Sequence, residues 1–530
     1  MKAQVLLPKV FNFPFTYNSI PETKIGDLVE VPFGSKKEIG VIWKNNFTAT
    51  KKIKLKDIEK TTEYTINKKL IDYIEWFSTY NMVPIGLVLK MVIGGTDKFI
   101  KKKDDSFQIK KTKKKDFNLN SDQLIALRFL EKINNKFSVS VLQGITGSGK
   151  TLVYFERIKK IIDKNYQALI LLPEIFLTNE FKTRFEEYFG FEPAIWHSKI
   201  TTKQKRIIWK GIIKNEIKIL IGARSALLLP FKKLGIIIVD EEHDTSYKQD
   251  EGVIYNARDM AISRARFEEI PIHLVSSVPS IETYKNIESG KYRHINIPKR
   301  FDDYPLPETK IINLNMNKIK NKFIAKDTIE FVKEYLDKGE QVLFFINRRG
   351  FAPYLICKNC GHKQVCPNCS LYLTFHKLKN KSICHHCSYE KKIKTKCKLG
   401  KYCKFIMYGL GVEKIFEEAK ELFPDKKVNI FSSDYLKRKE ETKNLFTRIK
   451  ENKVDILIGT QMISKGFNFK NLNCIVVIEA DFSGRGYDLR TTEKNIQLYH
   501  QLSGRAGRFS SKSLIIYQTL SPSDATLGEL

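Results

Sequence analysis

The chain has 530 residues, 42% hydrophobic and 28% charged, which is too long for one core and leads us to expect three or four domains. No stretch approaches the ~18 uninterrupted apolar residues of a spanning helix, and Pro8 and Lys9 break the first apolar run too early for a signal peptide; this excludes a spanning helix and leads us to expect a cytoplasmic protein. The net charge of +33, from 92 basic and 59 acidic residues, favours a polyanionic partner such as nucleic acid, although scattered lysine runs such as Lys51–Lys56 also fit, in part, a lysine-rich proteome.

Near the N-terminus, LVEVPFGSKKEIGVIW reads as two strands, Leu28–Pro32 and Glu38–Trp43, joined by a Gly-Ser turn. KKLIDYIEWFSTYNM follows as a helix with Leu70, Ile71, Ile74 and Phe77 on one face. Residues 98–116 carry nine lysines and little apolar periodicity, the pattern of a linker or basic arm. From Leu119 the pattern changes to short β-branched runs alternating with amphipathic segments: VSVLQG, YQALILL, KILIGA, LGIIIVD and PIHLVSS. A second series runs EQVLFFIN, KVNIFSS, DILIGT, NCIVVIE and SLIIYQT. Both read as βαβ units with buried parallel strands, and a cysteine-rich segment interrupts the second after its first strand.

Gly144-Ile-Thr146-Gly147-Ser148-Gly149-Lys150-Thr151 follows a strand and opens an amphipathic helix, as a phosphate-binding loop requires. Its glycines let backbone N–H groups converge on phosphate oxygens at a helix N-terminus. Lys150 would reach the β- and γ-phosphates of ATP, and Thr151 would hold Mg²⁺. LGIIIVD ends in Asp240, a Mg²⁺ carboxylate, followed by Glu241, placed to polarise the attacking water. In Ser503-Gly-Arg505-Ala-Gly-Arg508, two arginines three apart can meet a γ-phosphate. Together these residues describe an ATPase.

Eight of the nine cysteines lie between Cys357 and Cys403. Cys357/Cys360, Cys366/Cys369 and Cys384/Cys387 are C-x-x-C pairs, whereas Cys397 and Cys403 are further apart. Eight thiolates suffice for two tetrahedral Zn²⁺ sites with Zn–S near ~2.3 Å. A disulfide framework, disfavoured in the cytoplasm, and an iron–sulfur cluster are the alternatives. His362 is a substitute ligand to weigh, and Cys474 reads as a buried thiol.

The order DEEH, NRRG (Asn347–Gly350), GTQMISKG (Gly459–Gly466) and QLSGRAGR (Gln501–Arg508) resembles helicase superfamily 2. LLPEIFLT at 171–178, WHS at 196–198, IGARSALLLPF at 221–231, the long run at 240–265 and NRRGFAPYLIC narrow the resemblance to the PriA family of primosomal replication-restart helicases, along nearly the whole chain. FPFTYNSIP and GDLVEVPFGSKKEIGVIW resemble that family's DNA-binding front. The resemblance implies an α/β fold: two RecA-like lobes, a β-rich N-terminal DNA-binding domain and a zinc-binding insertion in the second lobe. It also implies an ATP-driven 3′→5′ helicase that recognises abandoned forks. Its partners would be forked and single-stranded DNA, DNA 3′ ends, primosome and helicase-loading proteins and single-stranded-DNA-binding protein; a monomer is expected. Gln123 would contact adenine, Arg505 and Arg508 would face the nucleotide, and backbone near Gly222–Ser225 and Thr460–Gln461 would track DNA. The implied zinc pairing is nested, with Cys366, Cys369, Cys384 and Cys387 inside and Cys357, Cys360, Cys397 and Cys403 outside. Where relatives usually read S-A-T-P-S, this chain has Ser276-Ser-Val-Pro-Ser280, which implies weaker coupling of hydrolysis to DNA movement. The expected layout is a 3′-end-binding domain over 1–97, a basic linker over 98–117 in place of a winged-helix module, lobe 1 over 118–310, lobe 2 over 311–355 and 404–530, the two-zinc insertion over 356–403, and no C-terminal domain.

Overall fold

The computed structural model describes residues 2–45, 55–94, 106–132, 136–173, 179–301, 304–317, 322–347, 354–357, 364, 366–368, 373–376, 381–384, 387, 389–392, 405–408, 412–431, 439–461, 463, 469–480, 490–507, 510, 512–520, 522 and 525–528. They form two compact units, Met1–Gly144 with Gly149–Pro298, and Ile145–Ser148 with Lys299–Leu530.

The first unit begins with a five-stranded antiparallel sheet in the order β2-β1-β4-β3-β5. The strands are β1 (Lys2–Leu6), β2 (Phe15–Asn18), β3 (Asp27–Phe33), β4 (Lys36–Asn45) and β5 (Lys60–Thr65). The tight turn between β3 and β4 has Gly34 at φ +61°, a conformation that only glycine adopts without strain. Backbone pairing carries β4 back to Lys36, beyond the apolar residues that mark the strand in sequence. The helix Lys68–Tyr80 starts at Asn67, whose Oδ1 accepts from Leu70 N–H at 2.7 Å. Its Leu70, Ile71, Ile74 and Phe77 face is buried.

That helix and the next, Ile85–Ile93, share one apolar core with the α/β part of the unit. Three buried or half-buried bonds join them: Trp209 Nε1–H to Val92 O at 2.9 Å, Tyr73 O–H to Met260 O at 3.0 Å and Asn67 Nδ2–H to Phe231 O at 3.1 Å. Gly86 makes a close approach possible, because a Cβ there would lie 2.1 Å from Lys9 O.

The α/β part carries a seven-stranded parallel sheet, ordered β14-β6-β13-β10-β7-β9-β8. Its strands are β6 (Ser138–Gly144), β7 (Gln167–Leu171), β8 (Ala194–Trp196), β9 (Ile219–Gly222), β10 (Leu234–Asp240), β13 (Pro271–Ser276) and β14 (Arg293–Ile297). A small hairpin, β11 (Lys248–Gln249) and β12 (Tyr255–Asn256), follows β10. The central strands are buried on both faces, which explains their unbroken apolar runs. The described part of the lysine-rich stretch, from Ser106, is not a free arm. It lies along the helix Asn179–Phe189 through Thr112 N–H to Gly190 O at 2.8 Å, Lys115 N–H to Glu187 O at 2.6 Å and a Lys115–Glu187 ion pair at 2.5 Å.

The second unit holds a six-stranded parallel sheet, ordered β15-β25-β24-β16-β23-β22. These are β15 (Glu308–Asn313), β16 (Gln341–Phe345), β22 (Val428–Phe431), β23 (Ile456–Gly459), β24 (Leu472–Val477) and β25 (Leu514–Thr519). β15 pairs with β25 from Glu308 onward, so the sequence boundary at 310 falls inside an edge strand. Its mostly solvent-facing ETKIIN hides it in sequence. The insertion is a separate five-stranded antiparallel sheet, β17 (Tyr354–Cys357), β18 (Thr374–His376), β19 (Lys381–Ile383), β20 (Glu390–Lys392) and β21 (Phe405–Tyr408). Pairing of β17 with β21 sets its ends at 354 and 408, outside the sequence bounds of 356 and 403.

Candidate nucleotide site and cysteine cluster

The phosphate loop leaves β6 at Gly144 and enters the helix Lys150–Ile162. Gly147 and Gly149 take φ of +91° and +76°, so the loop's two tightest positions are ones where only glycine is unstrained. Lys150 Nζ donates to Gly144 O at 2.6 Å, across the loop it follows. Thr146, Ser148 and Thr151 complete the segment read from the sequence. Gln123 is fully buried at the first turn of the helix Ser121–Glu131. Its Oε1 accepts from Asn120 N–H at 3.0 Å, and Asn120 Oδ1 accepts from Gln123 N–H at 3.0 Å, a reciprocal capping pair.

β10 delivers Asp240 beside that loop's helix. Tyr154 O–H, four residues beyond Lys150 and so on the same face, donates to Asp240 Oδ2 at 2.9 Å. Burial, then the adjoining Glu241 carboxylate, push Asp240 up to about 7, against the pull of Tyr154 and Lys150. Tyr247 O–H lies 2.6 Å from Asp240 O and 2.9 Å from Leu171 O, tying the ends of β10 and β7. Glu241 sits at φ +49°, the left-handed region, where a non-glycine residue is strained. Its buried Oε2 has no hydrogen-bond partner among the described residues, and His243 Nε2 is 3.7 Å away. A carboxylate held near neutrality by burial and a second with an unused oxygen fit a divalent cation and a polarised water. With the phosphate loop alongside, the donor set fits ATP with Mg²⁺.

Glu242 turns the other way, into the protein, and sequence reading missed it. Its Oε1 accepts from Ser280 N–H at 2.7 Å. Its Oε2 accepts from Ser280 Oγ at 3.1 Å, Thr283 Oγ1 at 3.0 Å and Arg258 Nη1 at 3.2 Å. His243 Nδ1 meets Ser276 Oγ at 2.8 Å. The acidic segment and Ser276–Ser280 are therefore joined by Ser276 and Ser280. Ser277 and Val278 supply no side-chain partner to that network among these bonds. Arg258, Ser280 and Thr283 lie too far along the chain from Glu242 for spacing to have revealed them.

Elsewhere in the first unit, Trp196 Nε1–H donates to Ser225 Oγ at 3.2 Å, and the Gly222–Ser225 backbone enters a 3₁₀ turn, Arg224–Leu228. In the second unit Arg505 is buried just past the helix Thr491–Ser503. Gln461 Nε2–H donates to Asn347 Oδ1 at 2.6 Å, and Asn347 Nδ2–H to Asn495 Oδ1 at 3.3 Å. Arg508 lies outside the described residues.

Cys366, Cys384 and Cys387 converge, with all three sulfurs within 4.8 Å of one another. Cys366 Sγ and Cys387 Sγ are 3.5 Å apart, too far for a disulfide near ~2.05 Å. The separation is close to the ~3.8 Å expected between thiolates tetrahedral about one Zn²⁺ at ~2.3 Å. Three thiols within reach of one point fit a metal. Cys360, Cys369, Cys397 and Cys403 lie outside the described residues, as do His362 and the side chain of Cys357. Cys474 is fully buried in β24, and burial pushes its thiol far up, as for an inert core cysteine.

Three family models match the chain. The 3'DNA-binding domain (3'BD) matches residues 4–94, the DEAD/DEAH box helicase 122–287 and the helicase conserved C-terminal domain 379–510. A replication restart protein PriA from Rickettsia felis is 42% identical over 536 residues, spanning 98% of this chain and 80% of the relative. The chain belongs to the PriA family. PriA relatives from Haemophilus influenzae and Bacillus subtilis are 38% and 35% identical, covering 78% and 74% of this chain and 56% and 49% of theirs. A solved structure of the DUF1998 helicase MrfA bound to DNA covers 78% of this chain and 53% of that chain, at TM-score 0.47 and 16% identity. Membership makes the fold an α/β helicase fold preceded by a β-rich 3′ DNA-binding domain, with a helicase-type ATPase site. No helix among the described residues is long and apolar enough to cross a membrane.

Proposed function

We propose that the chain is an ATP-driven DNA helicase that moves 3′→5′, recognises stalled forks and starts primosome assembly for replication restart. The observation that carries this reading is Asp240 bonded to Tyr154 on the phosphate-loop helix, in a PriA-family chain whose residues 4–94 match a 3′ DNA-binding domain. Gly144–Gly149 would wrap the phosphates, Lys150 would neutralise them, and Thr151 and Asp240 would orient Mg²⁺. Mg²⁺ held by these two residues would supply neutralisation of the phosphate charge. Glu241 would take the proton of the attacking water. Gln123 would hold the adenine, and Arg505 with Arg508 would face the γ-phosphate. Glu242 and His243 tie that chemistry to Ser276–Ser280, which supports a coupled motor over a loading scaffold with weak unwinding.

The N-terminal domain would hold a DNA 3′ end while Gly222–Ser225 and Thr460–Gln461 track the strand. Cys366, Cys369, Cys384 and Cys387 would bind one Zn²⁺, and Cys357, Cys360, Cys397 and Cys403 a second. Primosome and helicase-loading proteins, with single-stranded-DNA-binding protein, would meet a cytoplasmic monomer at the fork. The test is strand separation of forked DNA by the wild type and Lys150→Ala. We expect ATP-dependent unwinding by the wild type, and a drop in DNA-stimulated hydrolysis of about 100-fold or more in the variant. Hydrolysis surviving in Lys150→Ala would overturn the site assignment. Hydrolysis without unwinding in the wild type would leave the scaffold reading.

A further inference from the structure

Arg300 lies three residues past the end of β14 and is only 3% exposed. Its Nη1 donates to Gly507 O at 2.7 Å and Pro305 O at 3.1 Å. Its Nη2 donates to Ala506 O at 3.1 Å and Ser503 O at 3.4 Å. Three of those four carbonyls flank Arg505, from the last residue of the helix Thr491–Ser503 to the left-handed Gly507 at φ +60°. A helix end leaves carbonyls without intrahelical partners, and a cation there also suits the helix dipole. A surface lysine would serve that purpose. A planar guanidinium buried at the centre of the turn does more, because its fixed donor geometry sets where each carbonyl can be. The backbone on either side of Arg505 is thereby pinned, and with it the direction in which the Arg505 side chain leaves the chain.

We propose that Arg300 is a positioning residue for Arg505: by holding the Ser503–Gly507 turn through three of its carbonyls, it keeps the Arg505 guanidinium where hydrolysis needs it. This rests on the reading of Arg505 as an arginine that faces the γ-phosphate. A displacement of about 1 Å in such a group costs on the order of 100-fold in rate, while ATP binding, carried by the phosphate loop, changes little.

The test uses the full chain with forked DNA, comparing Arg300→Met, Arg300→Lys, Arg505→Ala and the Arg300→Met/Arg505→Ala double variant for kcat, KM for ATP and melting temperature. Arg300→Met should lower kcat by about 100-fold with KM within about threefold. Arg300→Lys, which keeps the charge but loses the fork, should recover part of that loss. The double variant should be no slower than Arg505→Ala alone, because residues acting through one another are not additive. Arg300→Met with kcat within about twofold of wild type, beside a slow Arg505→Ala, overturns the proposal and leaves the Arg505 reading standing. A normal kcat in Arg505→Ala overturns that reading and the proposal with it. Additive losses in the double variant, or melting of both Arg300 variants well below wild type, reduce Arg300 to a purely structural role and also overturn the proposal.

Discussion

The N-terminal sheet β1–β5 and the insertion sheet β17–β21 have the same number of strands and the same antiparallel pairing, yet they bury different things. The first closes over Val5, Leu7, Tyr17, Val29, Val31 and Ile42 on one side. On the other, Leu6, Leu28, Val41 and Trp43 join the core that includes Phe77. The described core of the insertion is Cys366, Leu373 and Cys384, with Tyr389 packed beside them. Among the described residues that is a small apolar core to set against the entropy of ordering five strands. Three thiols converging beside it fit a metal ion, whose coordination would add stabilisation.

The largest expected effect follows from that contrast. A chelator, or Cys384→Ser, should abolish hydrogen-exchange protection across 354–408, a loss on the order of 10 kcal/mol, and leave β1–β5 protected. Insertion strands that stay protected after chelation would show that the sheet supports itself. In the apolar partner, Phe77→Ala should cost about 3–5 kcal/mol by opening a cavity. Urea unfolding followed by Trp43 and Trp76 fluorescence would measure it, and chelation should not change that value. Gly86→Ala tests the tight seam beneath the same core. The new Cβ would press on Lys9 O and Leu7 O, both backbone, so a cost of about 1–3 kcal/mol is expected by the same assay. An unchanged midpoint would mean that the seam can open without penalty.

Acid gives the smallest effect in the first unit. His273, at the centre of its parallel sheet, has no hydrogen-bond partner at either ring nitrogen among the described residues. Burial, then the Arg157 charge, lower it from 6.5 to about 3. Below pH 6.5 the unfolded chain takes up a proton that the folded chain refuses, so stability falls as pH drops toward 3. The slope is at most about 1.4 kcal/mol per pH unit. His273→Leu should flatten this slope in urea titrations between pH 6.5 and 5.5; an unchanged slope would place the acid sensitivity elsewhere.

The parallel strands were legible in sequence because burial on both faces writes them as unbroken apolar runs, as in β10 and β24. β8, β14 and β15 were missed for the opposite reason. β8 has three residues, and β14 and β15 are edge strands whose RHINI and ETKIIN largely face solvent. Phosphate-loop chemistry is local, so eight consecutive residues announce it. The partners of Glu242 come from residues 258, 280 and 283, and only folding brings them together. Tyr154 could have been found from its place one helical turn after Lys150. How the lysine-rich stretch lies was not legible, because its anchors are backbone bonds to Glu187 and Gly190, which composition does not encode.

The shared core of the N-terminal domain and the first α/β sheet has a metrical consequence. Trp209, Tyr73 and Asn67 cross the seam with side chain-to-backbone bonds over a shared apolar core, so the two parts are packed together and not merely tethered. If the N-terminal domain grips a 3′ end and the turn at Gly222–Ser225 tracks the strand, the span between them would be a built-in gauge. Forks with gaps of different lengths would then be accepted or refused at a threshold, the way a caliper passes or stops a part, instead of grading smoothly as a tethered pair of domains would allow.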